Sequence, residues 1–225
     1  MGERDGSIDR ARVRELVVDA NDGIIAVAGI GEGFVGAGAS TSAALLAVVA
    51  ATVAGTIAIA GAKYTEAANE RDAVQELIDE EARQLALSPE DELAELTDHY
   101  AGKGLSPDLA AQVAAELSRT NPLAAHAETE HGIDVGRPIR PVLVAGGSAL
   151  AFAAGASIVI MTVLLISARW RSIAVFVVAA AALTITSVIA ARWGKVPVWR
   201  TVLRTVSIGM TAMVVSLLVG HLFEL

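Results

Sequence analysis

What most constrains this chain is where its charges are missing. No Asp, Glu, Lys or Arg occurs from Gly33 to Ala62, from Pro141 to Ala168, from Ser172 to Ala191, or from Thr205 to Phe223. A helix crosses a hydrocarbon core with roughly 20 apolar residues, and only helices and closed barrels satisfy their backbone polar groups there. These runs are rich in Ala, Leu and Val and show no two-residue alternation, which excludes barrel strands. The chain therefore reads as an all-α, polytopic membrane protein.

Five crossings are expected: Gly23–Ala39, Ser42–Ala62, then 142–167, 172–191 and 201–222, with a turn near Ser40 and Thr41. The first contains Glu32. Aromatic residues are only 4% of the chain, whereas glycines recur in the helices (Gly31, Gly33, Gly36, Gly38, Gly146, Gly147, Gly155). Small residues let membrane helices approach closely, so a tight bundle and a homodimer seam are predicted. The segments are then an amphipathic N-terminal stretch (1–22), crossings one and two (23–63), a helical cytoplasmic domain (64–138), and crossings three to five (139–225). Val13, Leu16 and Val17 against Arg10 and Arg14 predict a short surface helix before the first crossing.

Lys and Arg placement sets orientation. With the N-terminus inside, Arg10, Arg12, Arg14, Arg137, Arg140, Arg192, Lys195, Arg200 and Arg204 are all cytoplasmic, and only Arg169 and Arg171 fall outside. The inserted domain is then cytoplasmic, the C-terminus external, and the cell (inner) membrane the expected location. The charged first twenty residues contain no apolar signal core. Trp170, Trp193 and Trp199 fall at helix ends, as interfacial anchors do. The absence of cysteine removes disulfides, thiolate metal sites and thiol redox chemistry. Most of the net charge of −8 sits in the insert, which argues for cations and against nucleic acid as partners.

The insert reads as a small helical module. The second crossing continues as helix through Lys63–Ala86. Ser88-Pro89 and Ser106-Pro107 are start signals, a cap followed by proline at the first helical position. Asn121-Pro122 opens a last helix ending at His131 and Gly132. Leu93, Leu96, Leu109, Val113 and Leu117 are expected to face inward. Glu92 and Glu95 share one helix face, as do His126 and Glu130, and Glu81 lies on the preceding helix. If these helices bundle, their side chains converge as in helical carboxylate metal sites. Carboxylates with one imidazole suit Mn²⁺, Fe²⁺, Zn²⁺ or Co²⁺. Taken one pair at a time, acids at helical spacing are more often solvated surface. There is no phosphate loop, nucleophile elbow or dinucleotide motif, so no enzyme is expected.

The chain resembles the vacuolar iron transporter family along nearly its whole length. Asn21-Asp22-Gly23-Ile24-Ile25 is similar to the family's opening motif. Glu92-Leu93-Ala94-Glu95-Leu96, Tyr100, Gly104-Leu105-Ser106, Ala110–Ala114, Leu123-Ala124-Ala125-His126, Glu130 and Gly132-Ile133-Asp134 resemble the metal-binding domain of its bacterial members. The resemblance implies a homodimer of five-helix chains exporting Fe²⁺ or Mn²⁺ from the cytoplasm in exchange for protons. It places metal ligands at Glu81, Glu92, Glu95 and Glu130, with His126 added, and a pathway carboxylate at Asp22.

The chain also departs from that pattern. Gln84 stands where a further domain glutamate is usual, Ile57 and Ile59 replace methionines, and Lys63 replaces an acid before Tyr64. Glu32 is an added acid; at about 1.5 Å per residue it lies about 15 Å beyond Asp22, near the expected bilayer midplane, where a carboxylate points to function, the alternative being a neutral Glu32 hydrogen-bonded to a neighbouring helix or a dimer mate. Two functions follow. One is a proton-coupled divalent-metal exporter using Asp22 and Glu32. The other is a membrane-anchored metal-binding or scaffold protein without a working path, in which Asp22 pairs structurally with Lys63.

Overall fold

The computed structural model describes residues 5–223, with side chains from residue 10 onward. Residues 1–4 of the expected amphipathic stretch and 224–225 of the last segment lie outside the described residues. The described residues form eight helices: α1 (Asp5–Gly36), α2 (Thr41–Leu87), α3 (Pro89–Gly102), α4 (Pro107–Thr120), α5 (Pro122–His131), α6 (Pro141–Leu165), α7 (Ala168–Gly194) and α8 (Val198–Leu222). They make two compact units, one running through Tyr64 and resuming at Val142, the other Thr65–Pro141. The boundary falls inside α2, which is one uninterrupted helix.

Four helices, α2, α6, α7 and α8, are long and apolar enough to cross a membrane. The expected first crossing, α1, is not among them, because Asp19, Asp22 and Glu32 all fall within Asp19–Gly36. It also differs from expectation in having no separate surface helix before it: α1 runs unbroken from Asp5. Gly23, which reads as a break in sequence, serves packing instead. A Cβ there would fall 2.1 Å from the carbonyl oxygen of Phe152.

The same device joins α1 to its other neighbours. A Cβ on Gly155 would meet the Ala20 carbonyl at 2.0 Å, one on Gly36 the Leu217 carbonyl at 2.2 Å, and one on Gly220 the Gly33 carbonyl at 2.0 Å. Helix α1 thus lies backbone to backbone against α6 and α8, and Gly31 admits Val48 of α2. Ile24, Val27, Ala28, Val48, Phe152, Ala156, Val159, Ala179, Leu183 and Met213 fill the interior. Leu46, Ile57, Leu150, Leu165, Ile185, Leu203 and Leu218 point outward and are exposed, which suits lipid rather than water. Trp170, Trp193 and Trp199 are exposed at helix ends, two of them against Arg169 and Arg200. Thr184 and Thr186 bond carbonyls one turn back, whereas the buried Ser187 hydroxyl has no partner.

In the second unit the predicted helix starts hold, but their mechanism differs in part. Ser88 and Ser106 precede proline at the start of α3 and α4 without a side-chain capping bond. Asn121 does cap, its Oδ1 accepting from the Ala124 N–H at 3.2 Å. Gly132 ends α5 in the left-handed region (φ 68°), with Gly132 N–H bonded to Glu128 O and Ile133 N–H to Ala127 O, a paired ending that satisfies two terminal carbonyls. Leu96 is buried as expected, but Leu93 and Leu109 are exposed and Val113 and Leu117 only half-buried. Helix α4 turns Ala110 and Ala114 inward instead, so α3 packs on a face of small side chains.

Candidate metal centre

Three helices of the second unit bring polar side chains to one buried point. Near the end of α2, Glu81 is 2% exposed, Glu92 in the first turn of α3 is 7% exposed, and His126 on α5 is fully buried. Glu130, one turn beyond His126, closes the group from its rim. One ligand atom from each of these four residues lies within 4.8 Å of every other.

His126 Nδ1 is the meeting point. Glu130 Oε1 is 2.9 Å from it, Glu81 Oε1 3.3 Å and Glu92 Oε2 3.4 Å. Only the Glu130 contact has hydrogen-bond geometry; Glu81 Oε1 and Glu92 Oε2 remain without a hydrogen-bond partner. The reason is elementary: a ring nitrogen offers one in-plane position, so it cannot satisfy three carboxylates. A metal at the focus can. Ligand bonds of about 2.1 Å place neighbouring ligand atoms about 3.0 Å apart in an octahedron and about 3.4 Å in a tetrahedron. The spacings around Nδ1 match that range. One imidazole nitrogen and three carboxylate oxygens form a donor set of borderline hardness, suited to first-row divalent cations.

Electrostatics agree. Burial raises the Glu81 carboxyl above its ordinary range, and Glu130 and Glu92 push the same way against His126 and His131. Burial likewise raises Glu92, opposed by His126 and reinforced by Glu95, Glu130 and Asp91. Two buried acids held against ionisation bind a cation by giving up that penalty.

Glu95 is not brought into this group. Three residues along α3 from Glu92, it is rotated off the inward line and exposed, and it lines an open cleft of ≈ 610 Å³ with Asp91, Asp98, His99, Thr129 and Glu130. His131 is exposed, yet its Nε2 stands 3.8 Å from Glu81 Oε2, the oxygen turned away from His126.

The acids of the membrane-type unit are dispersed along α1. Asp22 is exposed. Glu32 is 1% exposed and accepts a 2.5 Å hydrogen bond from Ser172. Glu32 is one turn from the end of α1, and Ser172 lies in the second turn of α7. At the other end, Lys63 pairs with Glu15 at 2.9 Å, and Arg12 also binds Glu15, at 2.8 Å. Between Asn21, which accepts a bond from Thr186, and Glu32 the interior is lined by Ile24, Val27, Ala28, Ala179 and Leu183, with Ser216 against Gly29. Sequence reading missed Asp19, 2% exposed with a buried, unpartnered Oδ2; the signal was available in its spacing, one turn before Gly23 on the face that meets α6.

Comparison with known proteins bears on the family of the chain. The family model described as the VIT family matches residues 13–221. A vacuolar iron transporter of Acanthamoeba castellanii is 30% identical over 94% of this chain and 78% of its own length. Vacuolar iron transporter 2 of Oryza sativa subsp. japonica is 27% identical over 74% of the chain and 68% of its own length. Vacuolar iron transporter 1 of Arabidopsis thaliana is 29% identical over 68% of the chain and 62% of its own length. With a family match that takes in both units, the chain belongs to the VIT family.

Proposed function

We propose that this chain is a transporter that exports Fe²⁺ or Mn²⁺ from the cytoplasm in exchange for protons, loading the ion through Glu81, Glu92, His126 and Glu130. The observation that carries the reading is the four-ligand cluster, three of its residues buried, in a member of a family whose named relatives are iron transporters. In this reading α1 is the fifth crossing, its acids tolerated because the other helices surround it. The N-terminus and the inserted unit are cytoplasmic, the C-terminus is external, and the protein resides in the cell membrane. Glu95 supplies an outer carboxylate at the cleft beside the cluster. Asp22 and Glu32 pass the ion on. The exposure of Asp22 supports a path along the outer face of α1, closed by a second copy in a homodimer, because the interior of a single chain is sealed by Ile24, Val27 and Leu183.

That apolar seal and the Lys63–Glu15–Arg12 network also support a second reading, a membrane-anchored metal-binding protein that holds metal without moving it. Flux separates the two. Inside-out proteoliposomes should take up Fe²⁺ or Mn²⁺, faster with a pH gradient whose dissipation accompanies uptake. Metal binding without uptake of either ion assigns the protein to the second reading.

A further inference from the structure

Of the four residues at the metal centre, Glu81, Glu92 and His126 are buried and Glu130 is exposed. Glu130 also belongs to two places at once. Its Oε1 stands 2.9 Å from His126 Nδ1, and the same residue lines the open cleft of ≈ 610 Å³ between α3 and α5. The exposed ligand of the centre therefore opens into that cleft.

Across from Glu130, α3 supplies Asp91, Glu95 and Asp98 to the cleft. Steps of four and three residues set them in one stripe, beside the line of Glu92 and Leu96 that turns inward. Acids elsewhere in the unit are paired, Glu80 with Arg83 and Glu116 with Arg119. Among the described residues, none of the three in the stripe has a basic partner. The rest of the lining, Ala94, Leu96, His99 and Thr129, adds no Lys or Arg. Burial raises the Glu92 carboxyl, and Glu95 and Asp91 add to it, so the field of the stripe reaches the ligands. A cleft lined by one sign of charge concentrates counter-ions and speeds their arrival, by about 10-fold or more. Room is sufficient as well: six waters occupy roughly 180 Å³ at liquid density, so a hydrated divalent ion fits.

We infer that this cleft is the entrance to the metal centre. Asp91, Glu95 and Asp98 draw in a hydrated divalent cation, and Glu130 takes it first, a carboxylate oxygen replacing a bound water. Glu92, Glu81 and His126 then close on the ion. Asp91 and Asp98 are steering residues, setting how fast the centre loads rather than how long it holds. The inference rests on the reading of the four-residue cluster as a metal centre, and it holds whether or not the metal is then transported.

The test is stopped-flow association of Co²⁺ with the full-length protein in nanodiscs of zwitterionic lipid. Binding is read by the visible absorbance of the bound ion, and release by chelation. At low ionic strength Asp91→Asn/Asp98→Asn should slow association about three- to tenfold and leave release within about twofold, since rim charges act on arrival. Asp98→Lys should slow it further. Salt at about 0.5 M should shrink both differences below about twofold. Glu70→Gln/Glu76→Gln removes two exposed charges outside the cleft and should leave the rate unaltered. If wild type binds Co²⁺ but the folded cleft variants load at its rate, the entrance is overturned and the metal centre stands. Equal slowing by Glu70→Gln/Glu76→Gln overturns the entrance too. Absence of Co²⁺ binding by the wild type overturns the metal centre, and the entrance with it.

Discussion

The two units treat carboxylates in opposite ways. The inserted unit draws Glu81, Glu92 and Glu130 from three helices onto one imidazole nitrogen, until their mutual repulsion is a property of the fold. The membrane-type unit strings Asp19, Asp22 and Glu32 along a single helix, one buried with an unpartnered oxygen, one exposed, and one bonded to Ser172. Convergence suits tight holding, since several ligands neutralise one ion together. Dispersion suits passage, since no single position holds the ion with a full shell.

The largest effect expected from breaking this contrast is loss of the convergent site. Glu92→Ala with His126→Ala should lower calorimetric Fe²⁺ or Mn²⁺ affinity of the inserted unit more than about 100-fold, beyond the 10- to 100-fold usual for outer-shell partners. Glu32→Gln should leave that binding intact while removing most proton-linked uptake; normal uptake would reduce Glu32 to a contact with Ser172. Gly220→Ala probes the other unit's packing. Its Cβ meets the Gly33 carbonyl, so the bundle should lose about 1–3 kcal/mol, the usual cost of overpacking, seen as a lower midpoint in detergent melts with metal binding unchanged. An unaltered midpoint would contradict the close α1–α8 approach.

A smaller, pH-dependent effect follows from Glu81 and Glu92. Both carboxyls are raised in the fold, so the metal-free unit is favoured by their protonation. That contribution is complete below the ordinary carboxylate range and lost as pH rises through the raised values. Bound metal reverses the sign because it requires the ionised forms. Melting midpoints with and without Mn²⁺ should therefore converge in acid and separate toward neutral pH. The smallest effect is expected for Glu95→Ala, less than about threefold in affinity at the cluster, because its charge is exposed and screened. A loss as large as that of Glu92→Ala would return Glu95 to the inner shell.

The inserted unit was largely legible in the sequence because its signals are local. Pro89, Pro107 and Pro122 mark helix starts, and the His126–Glu130 spacing fixes a shared face. What escaped was rotation: whether Glu92 or Glu95 points inward is decided by how α3 meets Ala110 and Ala114, which no spacing within α3 reveals. In the membrane-type unit the charge-free runs gave the long helices, but the start of α1 was misjudged. Gly23 looked like a boundary although its missing Cβ serves the contact with Phe152. Asp19 was overlooked although its spacing, one turn before Gly23, sets it on the face of α1 that meets α6.

The convergent site is tested most directly by X-ray absorption on the full-length protein loaded with one equivalent of Co²⁺. The geometry predicts a nitrogen/oxygen shell at about 2.1 Å with the outer-shell scattering of one imidazole, lost in His126→Ala. A shell of oxygen alone in the wild type, or an imidazole signal that survives His126→Ala, would contradict it.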